Sequence, residues 1–201
     1  ELKRAWAELT APGQMFEVDR VAVGGVDILS YRHAPPSLRE VWLSTAAHGD
    51  NDYLIYQDDR ISYREAHAQV AALAAALVAG GVAPGDRVAI AMRNYPEWML
   101  AYWAITSMGA VVVGMNAWWI EDEMDFALRD SQPRALIADR ERLQRFAALR
   151  DSHPGLRVIA VRTGEETPAW AERWEDVTAR SAELPDASID PDSDACVFYT
   201  S

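Results

Sequence analysis

The sequence has 201 residues, half of them hydrophobic and a quarter charged, as in an ordinary soluble globular protein. Its 31 acidic residues outnumber 19 basic residues, and the net charge of −12 argues against a nucleic-acid-binding surface and against docking on an anionic membrane. One cysteine, Cys196, excludes an intramolecular disulfide and fits a reducing compartment, so we expect a cytoplasmic protein.

Residues 1–36 are predicted to form an N-terminal lead, separate from the domain at 37–201. The pattern predicts a short helix at 2–9 and then irregular chain, because glycine and proline recur up to Pro36. Residues 1–8 mix charges and lack an apolar run, so we expect no secretory signal there.

Helix starts are marked by a Ser or Asn followed three residues later by Glu, the capping-box pattern. Between the first two of these helices, 53–57 and 60–63 are typical of the arms of a β-hairpin. The helix that begins near Ser62 is expected to end at Gly80. The three pairs are Ser37–Glu40, Ser62–Glu65 and Asn94–Glu97.

After Gly81, short apolar strands alternate with helices. The strands are continuous apolar runs, which is typical of a parallel sheet covered on both faces, and the alternation indicates right-handed βαβ units. We therefore predict an α/β fold with a mostly parallel sheet flanked by helices on both faces. The predicted strands are 87–92, 111–115, 134–138, 157–161 and 195–199. The predicted helices are 95–108, 121–131 and 140–150, with a short helix or turn at 169–178.

Two stretches invite other interpretations. The uncharged run 98–120 is long enough for a membrane-spanning helix, but Gly109 and the valines that follow indicate a helix, a turn and a buried strand. We therefore expect no transmembrane segment. The acidic cluster at 121–125 is interpreted as favourable charge at a helix start, and the four scattered histidines lack metal-site spacing, so we expect no metal site.

The last predicted strand leads directly into Thr200 and Ser201. In α/β folds, ligands bind beyond the carboxyl ends of the strands. Phosphate-binding loops need small residues whose backbone N–H and hydroxyl groups converge on an anion. By itself, this short segment fits an ordinary turn equally well.

Five segments, taken in order, resemble the adenylate-forming superfamily of acyl- and aryl-CoA synthetases, luciferases and peptide-synthetase adenylation domains. The last of them matches the approach to the family's phosphate loop. The resemblance covers about 37–201 and implies the first subdomain of the family's N-terminal domain, ending at that loop. The segments are ISYRE at 61–65, GVAPGDRVAI at 81–90, MRNYPEW at 92–98, MGAVVVGMN at 108–116 and DACVFYTS at 194–201.

The resemblance implies that a carboxylic acid, expected to be fatty or otherwise hydrophobic, reacts with ATP to give an acyl-adenylate and pyrophosphate. Coenzyme A then takes the acyl group, and Mg²⁺ offsets the charge on the phosphates. Thr200 and Ser201 are implied to begin the loop that binds the ATP phosphates. The adenine pocket, the magnesium carboxylate and the catalytic lysine are implied to lie beyond Ser201. We therefore expect no catalytic residue in this chain, inactivity of the chain alone, and a partner in the remainder of the polypeptide, in the same chain or a second one.

Trp118 departs from the pattern, because some CoA ligases of the family carry a basic residue there, near the CoA nucleotide. A tryptophan cannot pair with a phosphate, so stacking on the CoA adenine and packing against the N-terminal lead both stay open. Asn116, where amino-acid-activating domains more often have Asp, favours a CoA ligase. The alternatives are an adenylation domain that loads a carrier protein and a non-catalytic interaction module that retains the fold.

Overall fold

The computed structural model describes residues 1–200, and the described chain divides into two units. The first unit comprises Glu1–Ser37 with Asp190–Asp192. The second comprises Leu38–Ile189 and the chain from Ser193 onward.

The first unit contains helix α1 (Leu2–Leu9) and an antiparallel hairpin of β1 (Val18–Val23) and β2 (Val26–Tyr31). The prediction of irregular chain after the helix was therefore wrong. The two-residue turn between the strands places both glycines at positive φ, 57° at Gly24 and 81° at Gly25. Glycine adopts this conformation at little cost, and such a turn matches the twist of a hairpin.

The second unit is built around one parallel sheet, preceded by two helices and a small hairpin. Its helices are α2 (Leu38–Ser44), α3 (Tyr63–Ala79), α4 (Pro96–Ser107), α5 (Glu121–Ser131), α6 (Arg140–Leu149) and α7 (Trp174–Thr178). Single 3₁₀ turns occur at Thr45–His48, Arg150–Ser152 and Gly164–Glu166. Its strands are β3 (Asp52–Tyr56), β4 (Asp59–Ser62), β5 (Arg87–Ala91), β6 (Val111–Gly114), β7 (Ala135–Asp139), β8 (Arg157–Val161), β9 (Glu172–Arg173) and β10 (Cys196–Phe198).

Strands β3 and β4 pair as an antiparallel hairpin, and the other six form the sheet in the order β10-β6-β5-β7-β8-β9. Every neighbouring pair in this sheet is parallel. The chain passes from β5 to β6 on one side and then to β7 on the other, so the strand order reverses beside β5. In open α/β sheets, ligands bind beyond the carboxyl ends of the strands at such a reversal.

Helices cover both faces of the sheet, because alternate residues of each buried strand point to opposite sides. On one face, Val88 and Ile90 pack with residues of α2, α3, α4 and α7. On the other, Ala89 and Ala91 pack with residues of α5 and α6, among them Phe146. The predicted α/β fold with a parallel sheet between two helical layers is confirmed.

Local signals explain where some helices begin. Ser62 forms the predicted capping box, because its Oγ accepts from Glu65 N at 3.2 Å and Glu65 Oε2 accepts from Ser62 N at 2.8 Å. The pairing of Asn94 with Glu97 was wrong. Helix α4 begins at Pro96, whose missing N–H costs nothing in a first turn, and Tyr95 is the N-cap residue.

The uncharged run at 98–120 contains most of α4, a turn at Gly109 and strand β6. None of the helices in residues 1–200 combines the length and the apolar character that a membrane crossing requires. The run is apolar because α4 and β6 both contribute to the core of the second unit.

Candidate functional site

A cleft of about 810 Å³ opens at the carboxyl edge of the sheet, where the segments that follow β5, β6 and β10 meet. These three strands are adjacent and parallel, so their last residues lie at one edge. Side chains from the hairpin strand β3 and from the start of α6 complete the wall. The lining includes Tyr56, Arg93, Tyr95, Asn116, Trp118 and Phe198.

A buried carboxylate organises this edge. Asp139 ends β7 and is the N-cap of α6, with its Oδ1 accepting from Arg142 N at 3.1 Å. Its Oδ2 accepts from Arg93 N at 3.0 Å, in the segment that follows β5. The Arg142 guanidinium donates to both oxygens, at 3.1 and 3.0 Å, so the carboxylate is fully engaged. Asp139 therefore fixes the end of β5 against the start of α6.

Two arginines of α6 hold the segment that follows β6. Arg142 Nε donates to Ala117 O at 2.8 Å, and its Nη2 donates to the same oxygen. Arg145 Nη1 donates to Ala117 O at 3.1 Å and to Trp119 O at 2.9 Å. Because Trp118 lies between these two anchored carbonyls, its backbone has a defined position.

Trp118 presents an exposed indole at the cleft, with 69% of its surface accessible. Trp118 N donates to Asn116 Oδ1 at 2.9 Å, which closes a local turn. The Arg93 guanidinium lies 4.3 Å from the centre of the indole ring, a cation–π contact between the segments that follow β5 and β6.

Arg162 packs against two tyrosines that form a second wall of the cleft. Its guanidinium carbon lies 4.9 Å from the ring centre of Tyr56 and 4.8 Å from that of Tyr95, and the two rings meet edge to face at 5.7 Å. Arg162 Nε also donates to Glu97 Oε1 at 2.8 Å. Arg162 follows β8 with φ of 56°, a conformation that non-glycine residues seldom adopt.

The end of β10 brings aromatic side chains to the same edge. Tyr199 Oη donates to Asp130 Oδ2 at 2.7 Å, and its ring meets Trp119 and Phe126 edge to face. Burial raises the pKa of the Tyr199 hydroxyl, with a further increase from the hydrogen bond to Asp130. Tyr199 therefore anchors the strand end. Thr200 follows it and is exposed.

The three site residues predicted from the sequence, Trp118, Thr200 and Ser201, lie at different positions relative to the cleft. Trp118 lines the cleft, and Thr200 directly follows Tyr199, another lining residue, whereas Ser201 lies outside the described residues. In the part of the chain that the structure describes, no group of three or more His, Cys, Asp or Glu side chains could hold a metal ion. Glu141 also lines the cleft, but Arg142 and Arg145 both bond to it.

Sequence reasoning missed the charged residues that organise the cleft, namely Arg93, Asp139, Arg142, Arg145 and Arg162. Two of them carried a local signal. Asp139 ends an apolar strand just before a helix, and aspartate is a favoured N-cap residue. Arg145 follows Glu141 by four residues, the spacing of an ion pair along a helix. Spacing along the chain could not reveal the contacts of these arginines with Trp118, Ala117 and Glu97, because those partners lie in other segments.

Comparison with known proteins supports one family. Residues 41–201 match the family described as AMP-binding enzyme. The chain is 34% identical over 141 residues to feruloyl-CoA synthase of Amycolatopsis sp, covering 70% of this chain and 26% of that protein. It is 40% identical over 86 residues to enterobactin synthase component F of Shigella flexneri, covering 43% of this chain and 7% of that protein.

The fold also matches solved structures of ligases. Coronafacic acid ligase from Pectobacterium brasiliense, in its R395G mutant form, superposes with a TM-score of 0.75 at 22% identity, covering 82% of this chain and 33% of that one. The chain thus spans about a third or less of the length of these proteins. Because the family match extends over most of the described sheet and its helices, the chain belongs to the AMP-binding enzymes of the adenylate-forming superfamily.

Proposed function

We propose that the protein containing this chain activates a carboxylic acid with ATP and transfers the acyl group to coenzyme A. The observation that carries the proposal is the parallel pairing of β10 with β6, in which Val197 lies opposite Val113. This pairing brings Thr200 to the carboxyl edge, next to the cleft. Hydroxyl and backbone N–H groups at such an edge suit the binding of a phosphate.

The proposed chemistry has two steps. A carboxylate oxygen attacks the α-phosphorus of ATP, which forms an acyl-adenylate and releases pyrophosphate. The sulfur of coenzyme A then attacks the acyl carbon, which releases AMP. Both steps bring negative groups together, so positioned donors are needed to stabilise the developing charge.

Within this chain, we propose that Thr200 and Ser201 contact the ATP phosphates and that Trp118 lies near coenzyme A. The exposure of the Trp118 indole and its fixed backbone support the second assignment. Mg²⁺ is part of the proposal because phosphates need charge neutralisation, and its carboxylate ligands are assigned outside the described residues. A cytoplasmic location belongs to the same proposal, which the lone Cys196 supports.

For the acid, we propose a fatty or other hydrophobic carboxylic acid. A relative named feruloyl-CoA synthase, which makes a thioester of an aromatic acyl group, supports a CoA ligase for an apolar acid. The relative named enterobactin synthase component F favours the second candidate, an adenylation domain that loads a carrier protein. The two candidates differ only in the thiol that accepts the acyl group.

The test measures pyrophosphate release by the full-length protein with ATP, Mg²⁺ and a panel of fatty, aromatic and amino acids. We expect release that depends on a hydrophobic acid, and thioester formation when coenzyme A is added. Acid-dependent release without thioester formation would favour the carrier-protein candidate. If no acid supports release, the protein is not an acid-activating enzyme.

Substitutions at Thr200 test its role in the same assay. Thr200→Ala removes a hydroxyl that is proposed to donate to a phosphate, and such bonds to charged groups contribute about 1.5–3 kcal/mol. We therefore expect kcat/KM for ATP to fall by roughly tenfold or more. Thr200→Ser retains the hydroxyl and is the matched control, with an expected change of about twofold or less. Equal activity of the Ala and Ser variants would contradict the assignment.

A further inference from the structure

The hairpin of β1 and β2 has an apolar surface but no apolar core. Within the described residues 1–37, no hydrophobic residue is buried, whereas Val26, Ile28 and Leu29 of β2 are 63%, 42% and 63% exposed. A two-stranded hairpin is marginally stable in water, and three or more strands with a hydrophobic face are needed for independent stability. The hairpin would therefore gain stability from additional strands.

Alternate residues of β2 direct their backbone groups away from β1. Arg32 N donates to Glu17 O at 2.8 Å, so these two residues form a hydrogen-bonded pair at the base of the hairpin. Hydrogen-bonded and non-hydrogen-bonded pairs alternate along an antiparallel ladder, and the register of this hairpin shows no shift. The N–H and C=O groups of Asp27, Leu29 and Tyr31 therefore point outward, along what we call the outer edge of β2.

The outward N–H groups of β1 are partly occupied, whereas those of β2 are free. On β1, Val18 N donates at 3.4 Å to the residue that follows α1, and Arg20 N donates at 2.8 Å to Asp19 Oδ1. On β2, within the described first unit, the outward N–H groups have no acceptor, and of the outward carbonyls only Tyr31 O is engaged, by Ala34 N at 3.2 Å. A carbonyl oxygen can accept a second hydrogen bond. The outer edge of β2 can therefore pair with another strand.

The outer edge of β2 has few of the features by which proteins block a free edge. Such features include lysine or proline, a β-bulge and a very short strand. Strand β2 has six residues, VDILSY, without lysine, proline or a register shift, and its only charged residue, Asp27, lies near the turn. By contrast, the edge strand β9 has two residues, and the hairpin of β3 and β4 contains a register shift.

We propose that β2 pairs antiparallel with β2 of a second copy of this chain, with Leu29 opposite the partner's Leu29. A two-fold axis at this position sets Asp27 opposite the partner's Tyr31, and each pair exchanges two N–H···O=C bonds. This register uses every outward residue of β2 and places no like charges opposite each other. The corresponding register of β1 with itself would centre on Arg20 and set two guanidinium groups opposite each other.

The pairing converts two marginal hairpins into one four-stranded sheet in the order β1-β2-β2-β1. Alternate residues of a strand share a face, so the aliphatic residues on one face of each hairpin become continuous across the sheet. The sheet then has both the strand number and the hydrophobic face that a lone hairpin lacks. These residues are Val21, Val23, Val26 and Ile28 of each copy.

The experiment measures the mass of the full-length protein by sedimentation over a range of concentrations. We expect the wild type to be a dimer that dissociates on dilution. Leu29→Lys and Leu29→Glu each set like charges opposite each other across the two-fold axis, so each should raise the dissociation constant by about tenfold or more. An equimolar mixture of the two variants should dimerise again, because lysine then lies opposite glutamate. This recovery also shows that both variants have folded.

Ala22→Lys is the matched control, because Ala22 is an exposed residue of the same hairpin that points outward on β1. Its dissociation constant should equal that of the wild type. The proposal is overturned if the wild type is a monomer at every concentration, which would favour a strand from the rest of the polypeptide at this edge. It is also overturned if the two Leu29 variants dimerise as the wild type does, or if their mixture stays monomeric.

Discussion

The Asp139 carboxylate and the Arg142 guanidinium form a buried ion pair, with Arg142 Nη1 3.0 Å from Asp139 Oδ2. Each partner also binds backbone from a different strand end, Asp139 to Arg93 N and Arg142 to Ala117 O. One ion pair therefore joins the segments that follow β5, β6 and β7. The cleft owes its shape to this connection, because those segments line much of it.

Removal of one partner of this pair should destabilise the protein strongly. Arg142→Met leaves the Asp139 carboxylate buried without its counter-ion, and such a change typically costs about 3–5 kcal/mol. Arg145→Met is the control, because Arg145 bonds to the same Ala117 carbonyl but is less buried. We expect the control to cost about 1 kcal/mol. Urea unfolding of the full-length proteins gives both values, and equal losses would contradict the role assigned to the pair.

The left-handed backbone at Arg162 predicts which of two variants is the more stable. Arg162→Ala and Arg162→Gly both lose the contacts with Tyr56, Tyr95 and Glu97, but only glycine adopts a φ of 56° without strain. We expect the Gly variant to be more stable than the Ala variant by about 1 kcal/mol, and both to be less stable than the wild type. Denaturant midpoints measure the difference. An Ala variant as stable as the Gly variant would show that this backbone is unstrained.

Gln132 offers a site where stability should increase. It is the C-cap residue of α5 with φ of 46°, and its exposed side chain leaves little packing to lose. Glycine is the preferred residue at such a position, so Gln132→Gly should stabilise the protein by about 0.5–1 kcal/mol. Gln132→Ala keeps the strained backbone and should give no gain. Thermal unfolding of the two variants checks the prediction, which a lower midpoint for the Gly variant would refute.

Stability should depend on pH through His67. Burial lowers the pKa of His67, whose ring stacks on Trp42 at 4.1 Å and whose Nε2 lies 3.0 Å from Thr45 Oγ1. The unfolded chain therefore takes up a proton at higher pH than the folded chain does. The contribution of neutral His67 to the free energy of unfolding should therefore be complete above pH 6.5. It should decrease as the pH falls from about 6.5 towards the folded pKa.

The variant His67→Gln isolates this contribution. The free energies of unfolding of the wild type and the variant are measured at several pH values on either side of the unfolded pKa. The amount by which the wild type exceeds the variant in this free energy should decrease as the pH falls. A difference that is constant over this range would mean that His67 titrates alike in both states.

Most of the sheet and its helices could be predicted from sequence, because each signal is local. The strand at Arg157–Val161 and the helix at Glu121–Ser131 have the predicted bounds, and the ends of the other predicted strands and of the helices at 95–108 and 140–150 shift by one residue. The short helix predicted at 169–178 begins only at Trp174, because residues 172–173 form the edge strand β9, which was not predicted. The hairpin of β1 and β2 was missed because the prediction treated Gly24 and Gly25 as breakers, although a Gly-Gly pair between alternating residues is a turn signal.

The cleft was less predictable, since its contacts join residues that are far apart in sequence. Arg162 and Glu97 belong to different strand–helix units, and neither has a periodic partner nearby. In the sequence, Glu97 matches the capping-box pattern with Asn94. This local match gave a prediction that did not include the long-range ion pair of Glu97 with Arg162. The edge of the sheet itself was predictable, because parallel strands end together.

The most direct test of the acyl-adenylate follows one oxygen atom. The full-length protein is given ATP, coenzyme A and an acid that supports pyrophosphate release, with both carboxyl oxygens labelled with oxygen-18. If a carboxylate oxygen attacks the α-phosphorus, that oxygen stays on phosphorus when the thiol displaces AMP. Mass spectrometry should then show AMP that carries one labelled oxygen, whereas unlabelled AMP would contradict the account.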